Sequence, residues 1–258
     1  MPDLSMSLDS LVAHRGLQSR YPENTILALN KAIECGAKYI ELDIQFSSDC
    51  LPIIYHDANL ERVSGQLGHV LQYPRKELVQ LSAYEPDRLG DSFKSEKIAP
   101  LEALVSILKE NPQVTAFVEL KEESIAHCGR DRMVKAVQAI LEPVKQQTVI
   151  ISYDYLLVQL ARERQWSGVG VVLKQWHDIN TEIVQNIASD FIFVDHEILP
   201  QKIDPEILSM APLVAYEVGN TALANQLIAK GVFMLETFEI ENLISEQKAM
   251  AQIKTYAT

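Results

Sequence analysis

The sequence has no run approaching the ~18 uninterrupted apolar residues that a membrane-spanning helix needs, so no stable membrane insertion is expected. Cysteine is scarce: Cys35, Cys50 and Cys128 are scattered, odd in number and form no C-x-x-C pair. That pattern speaks against a disulfide framework and a thiolate zinc site, and predicts reduced, partly buried thiols. Basic residues are outnumbered, 23 Lys and Arg against 35 Asp and Glu, for a net charge of −12. Non-specific nucleic-acid binding needs a basic surface, so nucleic acid is not expected as a partner. An anionic small molecule must then meet positive charge supplied locally. Gly-x-Gly-x-x-Gly, the P-loop, Gly-x-Ser-x-Gly and H-E-x-x-H are all absent. Nucleotide cofactors, serine hydrolases and helix-borne zinc sites are therefore not indicated. The opening residues MPDLSMSLDS lack both a basic start and an apolar run, so a secretory signal is not expected and the cytoplasm is the default compartment.

What the chain does have is 47% hydrophobic residues over 258 positions, enough for one large core. Nine short apolar runs, β-branched or aromatic, fall at 11–14, 39–45, 52–56, 115–120, 148–152, 169–173, 191–194, 213–218 and 232–236. Helix-like periodicity fills most of the gaps, at 23–35, 101–111, 130–145, 155–165, 181–188, 221–230 and 240–256, with Gly36 and Gly231 as C-caps. Alternating strand and helix predicts a parallel sheet with helices outside, and the length suits a (β/α)₈ TIM barrel. Nine runs are one too many. Only six residues, 46–51, separate the second run from the third, whereas a parallel crossover needs a dozen or more. The run at 52–56 is therefore an antiparallel hairpin arm, returning His56 to about the height of Asp43. Residues 58–99, weakly periodic and polar, form a loop insertion above the barrel within a single domain spanning 1–258.

Barrel enzymes place their chemistry where strands end, at the C-terminal face. The first four runs end in His14-Arg15-Gly16, Glu41-Leu42-Asp43, His56-Asp57 and Glu119-Leu120-Lys121. Glu41 and Asp43, two residues apart on a strand, share a face, and Glu119 joins them from the next barrel strand. Three hard oxygen ligands without a thiolate suit Mg²⁺ or Ca²⁺, and the scarcity of free Ca²⁺ in the cytoplasm favours Mg²⁺; the contrasting reading is a solvated strand end. His14 and His56 offer an acid and base pair near neutral pH. Arg15 offers a planar fork for phosphate oxygens and Lys121 a second cation. Glu23 is either ordinary helix-start chemistry or the group that orients Arg15 from behind.

These motifs, with Pro22-Glu23-Asn24-Thr25 and Pro100-Leu101-Glu102, resemble the glycerophosphodiester phosphodiesterase family in order and spacing over residues 11–121. The resemblance implies a barrel that hydrolyses glycerophosphodiesters to an alcohol and glycerol phosphate. It implies that Glu41, Asp43 and Glu119 hold a divalent metal, that His14 and His56 are general base and acid, and that Arg15 and Lys121 bind phosphate. The likeness weakens in the C-terminal half. Where the family carries aromatic-Thr-Val-Asn, this chain reads Tyr216-Glu217-Val218, and its final strand ends Leu235-Glu236-Thr237 instead of in Thr-Asp. Added carboxylates beside Tyr216 would favour a cationic alcohol such as choline or ethanolamine. Two rival readings follow. One is a lipid-directed phosphodiesterase with an apolar lip of Leu60, Val63, Leu67, Val70, Leu71 and Tyr73; the other is an idle phosphodiester-binding barrel.

Overall fold

A computed structural model describes residues 10–256. Ten strands form one sheet: β1 (Leu11–Ala13), β2 (Tyr39–Phe46), β3 (Pro52–Ile54), β4 (Ala99–Pro100), β5 (Thr115–Leu120), β6 (Thr148–Ser152), β7 (Gly168–Val172), β8 (Phe191–Asp195), β9 (Leu213–Tyr216) and β10 (Met234–Thr237). Their order is β1-β10-β9-β8-β7-β6-β5-β2-β3-β4, and a β1–β2 pairing closes the ring. Eight strands, all but β3 and β4, run parallel and make a (β/α)₈ barrel.

Alternation along each strand sorts the side chains. On β2, Ile40, Leu42 and Ile44 face the surrounding helices, while Tyr39 packs inside the barrel. Glu41 and Asp43 share the parity of Tyr39 and so point inward. The interior holds a plug of Val12, Phe117, Val149, Ile151, Val172, Phe193, Val214 and Met234. Above that plug the inward positions turn polar.

The arm forms as its short loop requires. β3 pairs antiparallel with β2, Ile44 opposite Ile54, and the Tyr55 N–H donates to the Asp43 carbonyl at 2.9 Å. His56 thus returns beside Asp43. β4, a strand of two residues not foreseen from sequence, pairs antiparallel with β3 and ends the insertion. The insertion packs its own small core, with Leu60, Val63, Val70, Leu78, Ala83 and Ile98 gathered on Ile53 and Tyr55.

That core corrects the expected apolar lip. Leu60, Val63 and Val70 are fully buried, Leu71 and Tyr73 pack against them, and Leu67 alone of the six is broadly exposed, at 78%. The first helix also starts later than expected, at Ile26. Thr25 caps it, its Oγ1 accepting from the Ala28 N–H at 3.1 Å, so Pro22 and Glu23 lie ahead of the first turn. Gly36 ends it in the left-handed conformation (φ 108°), where only glycine avoids a Cβ clash.

The cysteine expectation is overturned at two of three positions. Cys50 and Cys128 form a disulfide across 78 residues, and Cys35 is free. The pairing follows from the arm. Its tip leans over the segment after β5, where Arg132 Nη2 donates to the Asp49 carbonyl at 2.8 Å and His127 Nε2 lies 2.9 Å from the Ser48 carbonyl. Sequence distance hides that contact. Among the described residues no helix is long and apolar enough to cross a membrane.

Candidate active site

The site is built on the ends of β1, β2, β5 and the arm. After Ala13 the chain turns sharply: the His14 N–H donates to the Thr237 carbonyl at 3.0 Å, and Arg15 and Gly16 both take positive φ, 55° and 81°. A Cβ on Gly16 would sit 2.6 Å from the Ala28 backbone, so only glycine lets the first helix approach here. Arg15 tolerates a strained conformation of the kind that clusters at functional sites. In return its backbone N–H donates to Glu41 Oε2 at 3.1 Å. Its guanidinium reaches Asp43 Oδ2 at 3.0 Å through Nε and Glu23 Oε1 at 3.1 Å through Nη1.

Glu41, Asp43 and Glu119 converge as the strand parity and register predict, with Asp43 opposite Glu119 across β2 and β5. One oxygen from each lies within 4.8 Å of the others, and all three residues are buried. Lys121 Nζ bridges Asp43 Oδ1 at 2.8 Å and Glu119 Oε1 at 2.7 Å. Burial pushes the Asp43 carboxyl up, but Lys121 and Arg15 outweigh it and hold Asp43 well below the usual carboxylate range. Burial and the neighbouring Asp43 and Glu236 drive Glu41 the opposite way, well above that range. Glu41 is 1% exposed, and its Oε1 has no hydrogen-bond partner. An orphaned buried carboxylate oxygen beside two further carboxylates is a position that a cation could satisfy. The donor set therefore fits a hard divalent ion.

Both histidines line the cavity beside this cluster. His14 is buried, with Nε2 3.4 Å from Glu236 Oε1 and Nδ1 3.1 Å from Gln18 Nε2. Burial first, then Arg15, lowers its pKa well below the ordinary histidine value. His56 is held through Nδ1 by Asp57 Oδ1 at 2.6 Å, and its backbone carbonyl accepts from Gln45 Nε2 at 2.9 Å. Its Nδ1 is thereby engaged by Asp57.

A cavity of about 120 Å³ is lined by His14, Arg15, His56, Glu119, Lys121 and Tyr216, together with Tyr153, Phe193, Glu217 and Glu236. Glu23 stands behind Arg15, outside the lining. The Tyr216 hydroxyl meets that of Tyr153 at 2.8 Å, and burial pushes the Tyr216 phenol up to about 12. Glu236 is buried at the mouth, its carboxyl driven up by burial and by Glu119, whereas the Glu217 side chain is half exposed. Both departures from the family pattern thus face the cavity.

Two supporting residues carried no sequence signal of their role. Asn24 donates from Nδ2 to Asp43 Oδ2 at 2.7 Å and accepts the Asp43 N–H at 3.0 Å. Arg62, from the insertion, contacts both Glu23 and Asp57. Asn24 and Asp57 stand inside quoted motifs; Arg62 stands in none.

Fold and mouth together define a class: a (β/α)₈ barrel whose C-terminal face gathers buried carboxylates, two imidazoles and two cations over one cavity. Residues 14–180 match the glycerophosphoryl diester phosphodiesterase family, and the chain belongs to that family. It is 35% identical over 113 residues to human glycerophosphodiester phosphodiesterase 1, a match covering 43% of this chain and 34% of that protein. It is 31% identical over 142 residues to the glycerophosphodiester phosphodiesterase of Caldanaerobacter subterraneus subsp. tengcongensis, covering 55% and 56%. The chain thus spans between a third and just over half of the length of these relatives. An Oleispira antarctica phosphodiesterase, solved in complex with the product sn-glycerol-3-phosphate, superposes with a TM-score of 0.80 at 21% identity, covering 92% of this chain and 95% of that one. A Thermotoga maritima glycerophosphodiester phosphodiesterase gives 0.67 at 19% identity, covering 93% and 99%.

Proposed function

We propose that this chain hydrolyses glycerophosphodiesters, small-molecule substrates, to an alcohol and glycerol 3-phosphate. The observation that carries the reading is the placement of His14 and His56 around one carboxylate cluster, with Arg15 and Lys121 lining the same cavity. Glu41, Asp43 and Glu119 would hold a divalent ion, Mg²⁺ in our reading and Ca²⁺ as the alternative, which when bound neutralises charge on the phosphodiester. Arg15 and Lys121 bind the non-bridging phosphate oxygens and answer the charge problem posed by a net −12 chain. His14, kept neutral by burial and by Arg15, accepts the proton of the attacking oxygen, whether water or the glycerol 2-hydroxyl. His56, its Nδ1 fixed on Asp57, donates from Nε2 to the leaving oxygen. Each of these proton transfers contributes about 10²–10⁴ in rate. Glu23 orients Arg15.

Tyr216, Glu217 and Glu236 favour an alcohol with a cationic head. The burial of Leu60, Val63 and Val70 removes most of the lip that a lipid-directed reading requires. ³¹P NMR of the reaction with glycerophosphocholine tests the assignment. Glycerol 3-phosphate, with or without a cyclic phosphate before it, supports the proposed bond cleavage; phosphocholine would place the break on the other side of phosphorus.

Our reading of the sequence places the protein in the cytoplasm. Disulfides persist mainly in oxidising surroundings, so a thiol titration of protein taken from cells tests that placement. Three free thiols support it, and a protected Cys50–Cys128 pair opposes it.

A further inference from the structure

We propose that Arg62 is a positioning residue that sets His56 and Arg15 at the same time, so that the insertion completes the active site; the role rests on the phosphodiesterase reading above. Arg62 lies on the short helix Glu61–Ser64. Its Nε donates to Asp57 Oδ2 at 2.7 Å and its Nη2 to Asp57 Oδ1 at 2.8 Å. On its other edge Nη1 donates to Glu23 Oε2 at 2.8 Å and Nη2 to Glu23 Oε1 at 2.7 Å. One planar guanidinium is therefore bidentate to two carboxylates. Each carboxylate in turn holds a working group: Asp57 holds His56 Nδ1 at 2.6 Å, and Glu23 holds Arg15 Nη1 at 3.1 Å. The result is an unbroken line, Arg15–Glu23–Arg62–Asp57–His56, from the phosphate-binding cation to the proton donor.

Most exposed ion pairs contribute little, but this one differs. The Glu23 side chain is only 4% exposed, so it is costly to leave short of a partner. The double fork also uses four N–H donors in one plane, an arrangement lysine cannot supply. Nor is Arg62 what docks the insertion. Arg88 donates to the Gln18 carbonyl at 2.6 Å and the Tyr21 carbonyl at 2.8 Å, and Glu85 accepts the Glu23 N–H at 2.7 Å. With Arg62 removed, these contacts and the insertion's own core still hold the segment in place, while Asp57 and Glu23 lose the group that fixes their orientation.

The test compares Arg62→Ala and Arg62→Lys with the wild-type chain on glycerophosphocholine. Removing an outer partner of a working group typically costs about 10–100-fold. Both variants are expected to lose that much in kcat/KM, with kcat falling through His56 and KM rising through Arg15. Guanidinium ion should restore part of the Arg62→Ala activity, and methylammonium should not. The second readout needs no turnover: the His56 Nδ1–H proton resonance, protected by Asp57 in the wild type, should shift and broaden in Arg62→Lys. An Arg62→Lys protein with activity and His56 resonance like wild type would overturn the proposal, as would equal rescue by both cations. A wild-type chain inactive on glycerophosphodiesters would count against the functional reading instead, and the His56 resonance would still decide the positioning role.

Discussion

Asn24 and Asp43 clasp each other through two hydrogen bonds, Asn24 Nδ2 to Asp43 Oδ2 at 2.7 Å and the Asp43 N–H to Asn24 Oδ1 at 3.0 Å. Asn24 adopts φ 56° to do so, a conformation asparagine accepts more readily than most residues. The pair aims an inward carboxylate that Arg15 and Lys121 also hold. Asn24→Ala should cost about 1–3 kcal/mol, the usual result of stranding buried polar groups, and weaken Mg²⁺ binding. Chemical denaturation and a metal titration by calorimetry check the two effects separately.

His14 should titrate below a free histidine. Burial and Arg15 hold His14 below the ordinary imidazole value, so the neutral form dominates down to lower pH than for a free histidine. The acid limb of kcat/KM should therefore fall below about pH 6.5, the unperturbed histidine value. His14→Ala and His56→Ala should each remove nearly all turnover; robust activity in either would break the acid–base assignment.

Glu41 and Glu236 both have folded-state pKa values raised above the usual carboxyl range, by burial first and then by neighbouring carboxylates. A carboxyl raised on folding favours the folded state below its unfolded pKa. That contribution is lost as pH rises through the folded value. The metal-free protein should thus lose stability as pH rises above about 4.3, the ordinary glutamate value. A divalent cation stabilises the ionised forms, so the gain in Tm on adding Mg²⁺ should be larger at pH 8 than at pH 5. A gain that shrinks with rising pH would contradict the assigned ligands.

The Cys50–Cys128 bridge ties the arm that carries His56 to the segment following Lys121. Loss of a native disulfide typically costs about 2–5 kcal/mol, and Cys50→Ser should lie in that range by urea denaturation. In protein purified under oxidising conditions, an unfolded, unreduced sample should show one reactive thiol, Cys35.

Glu217 and Glu236 face the cavity with Tyr216. Glu217→Thr should lower the preference for glycerophosphocholine over glycerophosphoinositol in paired kinetic assays; an unchanged ratio would remove the cationic-head reading.

Much of this architecture was readable from sequence because it rests on short-range rules. Apolar runs located the eight barrel strands, and a six-residue gap at 46–51 forced the antiparallel arm. Strand parity alone puts Glu41 and Asp43 on one face. What stayed hidden depends on contacts between distant residues. Asn24 lies 19 residues from Asp43 and Arg62 lies 39 from Glu23, with no period linking either pair. Cys50 meets Cys128 only because the arm bends over the chain after β5. A strand of two residues, Ala99–Pro100, is too short to show alternation. The insertion's apolar residues read equally well as lip or core, since burial there is decided by tertiary packing.

In the proposed reaction the Glu41, Asp43 and Glu119 cluster supports phosphodiester hydrolysis. The most direct measurement is release of glycerol 3-phosphate from glycerophosphocholine and glycerophosphoethanolamine, with Mg²⁺, with Ca²⁺ and with EDTA, for the wild type and for Glu41→Ala. Release should be abolished by EDTA, restored by Mg²⁺ and absent in Glu41→Ala. Undiminished release in EDTA or from Glu41→Ala, or no release with either metal, would contradict the proposal.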